Sequence, residues 1–83
     1  MKTEYDPKRD AAYFEFSRAH SVRQERLSDL RIIDYGADGK VVGVEFLSPS
    51  LGMDLTGIPN ASEIEREARR LGLPIRGPAA ITG

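Results

Sequence analysis

The chain has 83 residues, twelve basic and thirteen acidic, with one histidine, no cysteine and a formal net charge of -1. At this length folding buries only about 60 to 65% of the unfolded surface, so the core is thin, and neither a disulfide nor a structural zinc site can be built from His20 alone to reinforce it. Balanced charge offers no positive field for a phosphate backbone, and no apolar run reaches the roughly 18 residues of a membrane span or forms a signal segment after Met1, so nucleic acid and membrane are excluded as partners and a cytoplasmic protein is expected.

Near the start, Tyr5 precedes Asp6-Pro7-Lys8-Arg9-Asp10, a stretch rich in turn formers that predicts a hairpin turn. Ala12-Tyr13-Phe14-Glu15-Phe16 follows as a strand, with Ala12, Phe14 and Phe16 on one face and Tyr13 and Glu15 on the other. Ser17 to Ser21 is a polar connection. Val22 to Leu27 is extended and mostly charged, as suits an edge strand, where charge discourages unwanted pairing.

Leu30 to Tyr35 and Val41 to Leu47 flank Gly36-Ala37-Asp38-Gly39, and Asp-Gly between β-branched runs is a strong hairpin signal. Alternation assigns Phe14, Phe16, Ile33, Tyr35, Val42, Val44 and Phe46 to the core face, and Ile32, Asp34, Gly43 and Glu45 to the other. Ser48-Pro49-Ser50 breaks the strand. Leu51, Met53 and Leu55 then alternate with Gly52 and Asp54, as a short strand or an apolar covering loop, until Gly57-Ile58-Pro59.

Asn60 with Glu63 three residues on resembles an N-cap and capping box, opening a helix from about Ala61 to Leu71 with Ala61, Ile64, Ala68 and Leu71 as its apolar stripe. Gly72 and Pro74 close it, with Leu73 placed for a Schellman contact to Ala68. The expectation is one α+β domain over residues 1–74, an antiparallel β-meander of four to five short strands with one C-terminal helix packed on it. Residues 75–83 carry no periodicity and read as a loose tail.

The residues Tyr5-Asp6-Pro7, Asp10-Ala11, Tyr13, Leu27-Ser28-Asp29, Ile33-Asp34-Tyr35 and Asp38-Gly39 leading into Val42-Gly43-Val44-Glu45 together resemble the domain-of-unknown-function family 2283, over roughly residues 5 to 47. Ala12 departs from the larger aliphatic usual there, and Leu30-Arg31 from a glycine and an aliphatic. The resemblance implies a small stand-alone prokaryotic protein and brings no catalytic residues or cofactor. Because some relatives are encoded beside small toxin-like proteins, it also implies, by analogy, an antitoxin-like or other role in binding a small protein partner.

Glu15, Asp34 and Glu45 share the face opposite the core and are the candidate carboxylate cluster for a hard cation or an acid–base pair, weighed against solvated residues of a one-sided sheet. His20 lies in a polar connection with no nucleophile motif, and Gly36 to Gly39 lacks phosphate-loop spacing. Arg66, Arg69 and Arg70 are matched by Glu65 and Glu67 along the helix. Leu51, Met53, Leu55 and Ile58 are the candidate interface, or equally an intrachain cover. No catalytic, metal or cofactor residue is assigned and no enzyme is expected. The expected function is a self-associating interaction module, a homodimer in particular, that binds through a sheet edge or through Leu51 to Ile58. A small-molecule or metal-binding domain using the acidic face is the alternative.

Overall fold

The computed structural model describes residues 1–77. Seven strands, a 3₁₀ turn and one helix occur among them: β1 (Lys2–Asp6), β2 (Ala11–Glu15), β3 (Arg23–Ser28), β4 (Arg31–Tyr35), β5 (Val41–Leu47), the turn Pro49–Leu51, β6 (Met53–Asp54), α1 (Ala61–Arg70) and β7 (Ile75–Gly77). The first five strands form an antiparallel meander sheet in the order β1-β2-β5-β4-β3, followed by the single helix, so the class is α+β. A hairpin, β1–β2, and a three-strand meander, β3–β4–β5, meet where β2 pairs with β5. The polar connection Ser17 to Ser21 carries the chain from β2, next to one edge of the sheet, to β3 at the other edge. No helix among the described residues is long and apolar enough to cross a membrane.

One face of the sheet is apolar, and the segment after β5 covers it. Ala12, Phe14, Ile33, Val44 and Phe46 from the sheet meet Met53, Leu55, Ile58, Ile64, Ala68 and Leu73 from the cover in one cluster, against which Phe16 and Tyr35 pack while half-buried. Phe14 and Phe46, diagonal neighbours on β2 and β5, stack edge to face with centroids 5.7 Å apart. Val42, expected on the core face, is buried but stands apart from this cluster. The ladder between β4 and β5 slips at this point, from Asp34 opposite Gly43 to Tyr35 opposite Val41. The bulge breaks the two-residue alternation, and Val41 packs on the core instead.

The helix ends as its sequence predicts. Gly72 takes φ +77°, the Leu73 amide donates to the Ala68 carbonyl (2.8 Å) and the Gly72 amide to that of Arg69 (3.0 Å), which is the full Schellman pair. Its start differs from expectation. Asn60 occupies the N-cap position at φ 54° with no side-chain cap, and its main-chain carbonyl accepts from the Glu63 and Ile64 amides. Asparagine tolerates this left-handed backbone, so it serves the turn geometry and no capping box forms.

The loose tail expected from Ile75 is corrected at its first three residues. Ile75–Gly77 pairs in parallel with β6, the Met53 amide donates to the Pro74 carbonyl (2.8 Å), and Ile75 packs on the core. Backbone at Met53, buried within the cover, needs hydrogen-bond partners, and the chain after the helix supplies them. The rest of the expected tail, residues 78–83, lies outside the described residues.

Candidate functional site

The carboxylates singled out on the outer face do not converge. β5 lies between β2 and β4, and its glycine, Gly43, faces Glu15 on one side and Asp34 on the other. The ring of Tyr13 lies across this gap. A Cβ on Gly43 would sit 2.6 Å from the Tyr13 Cζ and 2.9 Å from the Phe14 carbonyl oxygen, so only glycine admits the phenol there. The Tyr13 hydroxyl reaches over β5 to donate to Asp34 Oδ2 (2.9 Å), and Gln24 Nε2 on β3 donates to Asp34 Oδ1 (2.9 Å).

Asp34 is therefore buried at 9% exposure with both oxygens engaged. Burial first, then the bond to Asp34 and the charges of Asp34, Glu15 and Glu45, push the Tyr13 phenol well above its ordinary pKa of 10.0. A proton held that firmly makes Tyr13 a donor and a poor general base at neutral pH. Among the described residues no three His, Cys, Asp or Glu side chains come together as a metal site. What the arrangement does is tie β2, β4 and β3 together across a glycine.

Other polar side chains pin the cover to the sheet. Arg31 Nε donates to Ser28 Oγ (3.1 Å), Nη1 donates to the carbonyls of Asp54 (3.2 Å) and Thr56 (2.5 Å), and Nη2 lies 3.8 Å from Asp54 Oδ2. Hydrogen bonds to Thr56 first, then Arg31, hold the Asp54 carboxyl below its ordinary range. Asp10, at φ 52°, accepts from the Tyr5 hydroxyl and from both the amide and the hydroxyl of Ser50. A cavity of about 270 Å³ opens beside Arg31, and the charges of Asp29, Asp54, Arg31 and Arg76 in its wall cancel.

The candidate interface is corrected for three of its four residues. Met53 and Leu55 are 1% and 2% exposed, and Ile58 is buried with them in the core, whereas Leu51 is 71% exposed. The 3₁₀ turn Pro49–Leu51, followed by Gly52 at φ 109°, resets the chain direction, so Leu51 and Met53 do not share a side as simple alternation requires. Of the remaining residues, His20 is exposed, Gly36 to Gly39 is a turn closed by the Gly39 amide on the Gly36 carbonyl (3.0 Å), and Arg69 and Arg70 pair with Glu65 and Glu67 at 2.7 and 2.6 Å.

The least covered part of the sheet is β3, one of its two ends. Arg23 to Leu27 are all exposed, and Val22 before them is 61% exposed. Arg23 lies over the Tyr35 ring, 4.2 Å from its centroid, and Glu25 accepts from the Tyr35 hydroxyl (3.1 Å). The sequence marked this strand as an edge. It gave no sign of the Tyr13 bridge beyond a lone glycine inside β5, the usual mark of a close approach.

No curated protein and no solved structure matches the chain. A family model described as "Protein of unknown function (DUF2283)" matches residues 2–50, more than half of the 83 and the whole of the five-stranded sheet. The chain belongs to the DUF2283 family.

Proposed function

We propose that the protein is an interaction module that binds another polypeptide by adding a strand at the β3 edge. The observation that carries this is the exposure of every residue from Arg23 to Leu27 at the end of a sheet whose inner strands are buried. An edge strand offers a row of main-chain donors and acceptors, and strand addition uses them for affinity while alternate side chains set specificity. The apolar Val22 and Leu27 flank the charged centre of the strand and would be partly buried by a partner.

A ligand site on the acidic face has less support. Asp34, its most buried member, has both oxygens occupied within the chain. The experiment for the edge reading is photocrosslinking in the native cell, with the crosslinker at Gln24 and, as control, at Asp38 in the exposed turn. A discrete polypeptide adduct from position 24 and none from position 38 is expected. Equal labelling at both positions, or none from 24, removes the reading.

A further inference from the structure

We infer that the partner of β3 is β3 of a second copy of this chain, paired antiparallel about a two-fold axis at Gln24, so that two five-stranded sheets become one continuous sheet. This rests on the edge-binding reading and adds the partner and the register.

Backbone parity comes first. The Val22 amide donates to the Tyr35 carbonyl (2.8 Å), toward β4. That bond lies outside the regular ladder, in which Tyr35 is opposite Arg23. Leu30 and Gly36 bond toward β5, so by alternation Arg31, Ile33 and Tyr35 turn to β3. Their ladder partners Arg23 and Glu25 therefore turn to β4, while the N–H and C=O of Gln24 and Arg26 point to the open edge.

Facing comes second. Gln24 and Arg26 share the outer face with their partners Asp34 and Ile32, while Arg23 and Glu25 engage Tyr35 on the other face. A two-fold axis perpendicular to the sheet keeps each face on its own side, so an outer residue must oppose an outer one. The registers that keep the charged strand overlapped are then those centred on Arg23, Gln24, Glu25 or Arg26.

Charge decides among them. Centring on Arg23, Glu25 or Arg26 sets each of these directly against its own copy, and like charges directly opposite are destabilising. Centring on Gln24 sets Arg23 against Glu25 of the second copy, twice, and Gln24 against itself. Gln24, whose main-chain groups point outward, meets its own copy at the axis and that pair closes two backbone hydrogen bonds, while Arg23 and Glu25 fall at the flanking non-hydrogen-bonded positions, where side chains lie closer. The Tyr35 ring already holds both side chains on the required face, which lowers the cost of ordering them. At the opposite end, β1 also has a complementary register, Lys2 against Glu4, but there α1 stands at the edge, with Thr3 Oγ1 bonded to Glu67.

The test is sedimentation equilibrium of the purified protein with charge reversals. The parent should dimerise reversibly. Arg23→Glu and Glu25→Arg alone each set like charges in both facing pairs and should weaken the dimer by roughly ten-fold or more, while the double reversal should restore it to within a few-fold. Amide exchange at Gln24 should slow with concentration, a readout that stands even where a variant loses its contact with Tyr35. A monomer at every concentration, or a dimer indifferent to the single reversals, overturns the inference. A monomeric purified protein that still crosslinks from Gln24 to a different polypeptide in cells would remove self-pairing and leave the edge reading in place.

Discussion

Replacing Gly43 by alanine tests the tie across the outer face, because the structure reverses the sign ordinarily expected. Alanine in place of a strand glycine gains about 0.5 to 1 kcal/mol from reduced backbone freedom. Here the added Cβ would meet the Tyr13 Cζ at 2.6 Å and the Phe14 carbonyl oxygen at 2.9 Å. The phenol can swing away, but only by giving up its bond to Asp34, and a hydrogen bond to a charged group is worth about 1.5 to 3 kcal/mol. The carbonyl belongs to the β2 ladder and can retreat only by shifting a strand, for about 1 kcal/mol more at a modest angular distortion. The net is a loss of about 1.5 to 3.5 kcal/mol, or roughly 6 to 28 °C in melting temperature for a domain of this size. Tyr13→Phe loses the same bond without the clash, so in the Gly43→Ala background it should cost almost nothing further. A Gly43→Ala protein that melts at or above the parent temperature, or two losses that simply add, refutes the bridge.

Leu55→Asp should unfold the protein and Leu51→Asp leave circular dichroism and melting near the parent, since one side chain is 2% and the other 71% exposed; equal effects would mean the covering segment is misplaced. Phe14→Ala should cost about 3 to 5 kcal/mol by denaturant titration, because it removes a fully buried ring and its partner for Phe46, and an unchanged midpoint would contradict the facing of β2. The Tyr13 phenol ionises less readily folded than unfolded. Its contribution is therefore complete below the unfolded pKa near 10 and is lost as pH rises toward the folded value. Alkaline unfolding should be shallower for Tyr13→Phe, and identical slopes would show that the phenol is not held.

The local grammar of the chain was legible and its long-range contacts were not. Asp38-Gly39 between β-branched runs, the aromatic alternation of β2 and the Gly72-Leu73 close of α1 depend on neighbours within a few residues, and each stands where the pattern places it. Asn60 misled because one residue type serves both a side-chain cap and a left-handed turn. Val42 is buried as its pattern predicts, but the bulge that sets it apart from the main cluster leaves no mark in a run of valines. Met53, Leu55 and Ile58 looked surplus since the sheet's apolar face was already assigned, yet that face needed a second layer, and Ile75 joined it through pairing with β6. Tyr13, Gly43 and Asp34 were each placed on the correct face, but a phenol spanning three strands follows from register, which the hydrophobic pattern fixes only by face.

The family match ends at residue 50, where the covering layer begins. The matched part is thus a sheet with one apolar face that cannot stand bare in water, and residues 51–77 supply what it lacks, contributing Met53, Leu55, Ile58, Ile64, Ala68 and Leu73 to the core. That cover spreads over β2, β5 and β4 but touches β3 sparingly, where Gly57 comes near the Leu27 side chain. Beyond the cover's reach the core face changes from Phe14, Val44 and Ile33 to Glu25 and Arg23, so the same face is apolar where it is covered and charged where it is not. Charge keeps an uncovered edge from pairing with whatever strand it meets. It also sorts the registers proposed for self-pairing: of those centred from Arg23 to Arg26, only the one on Gln24 sets no like charges directly opposite.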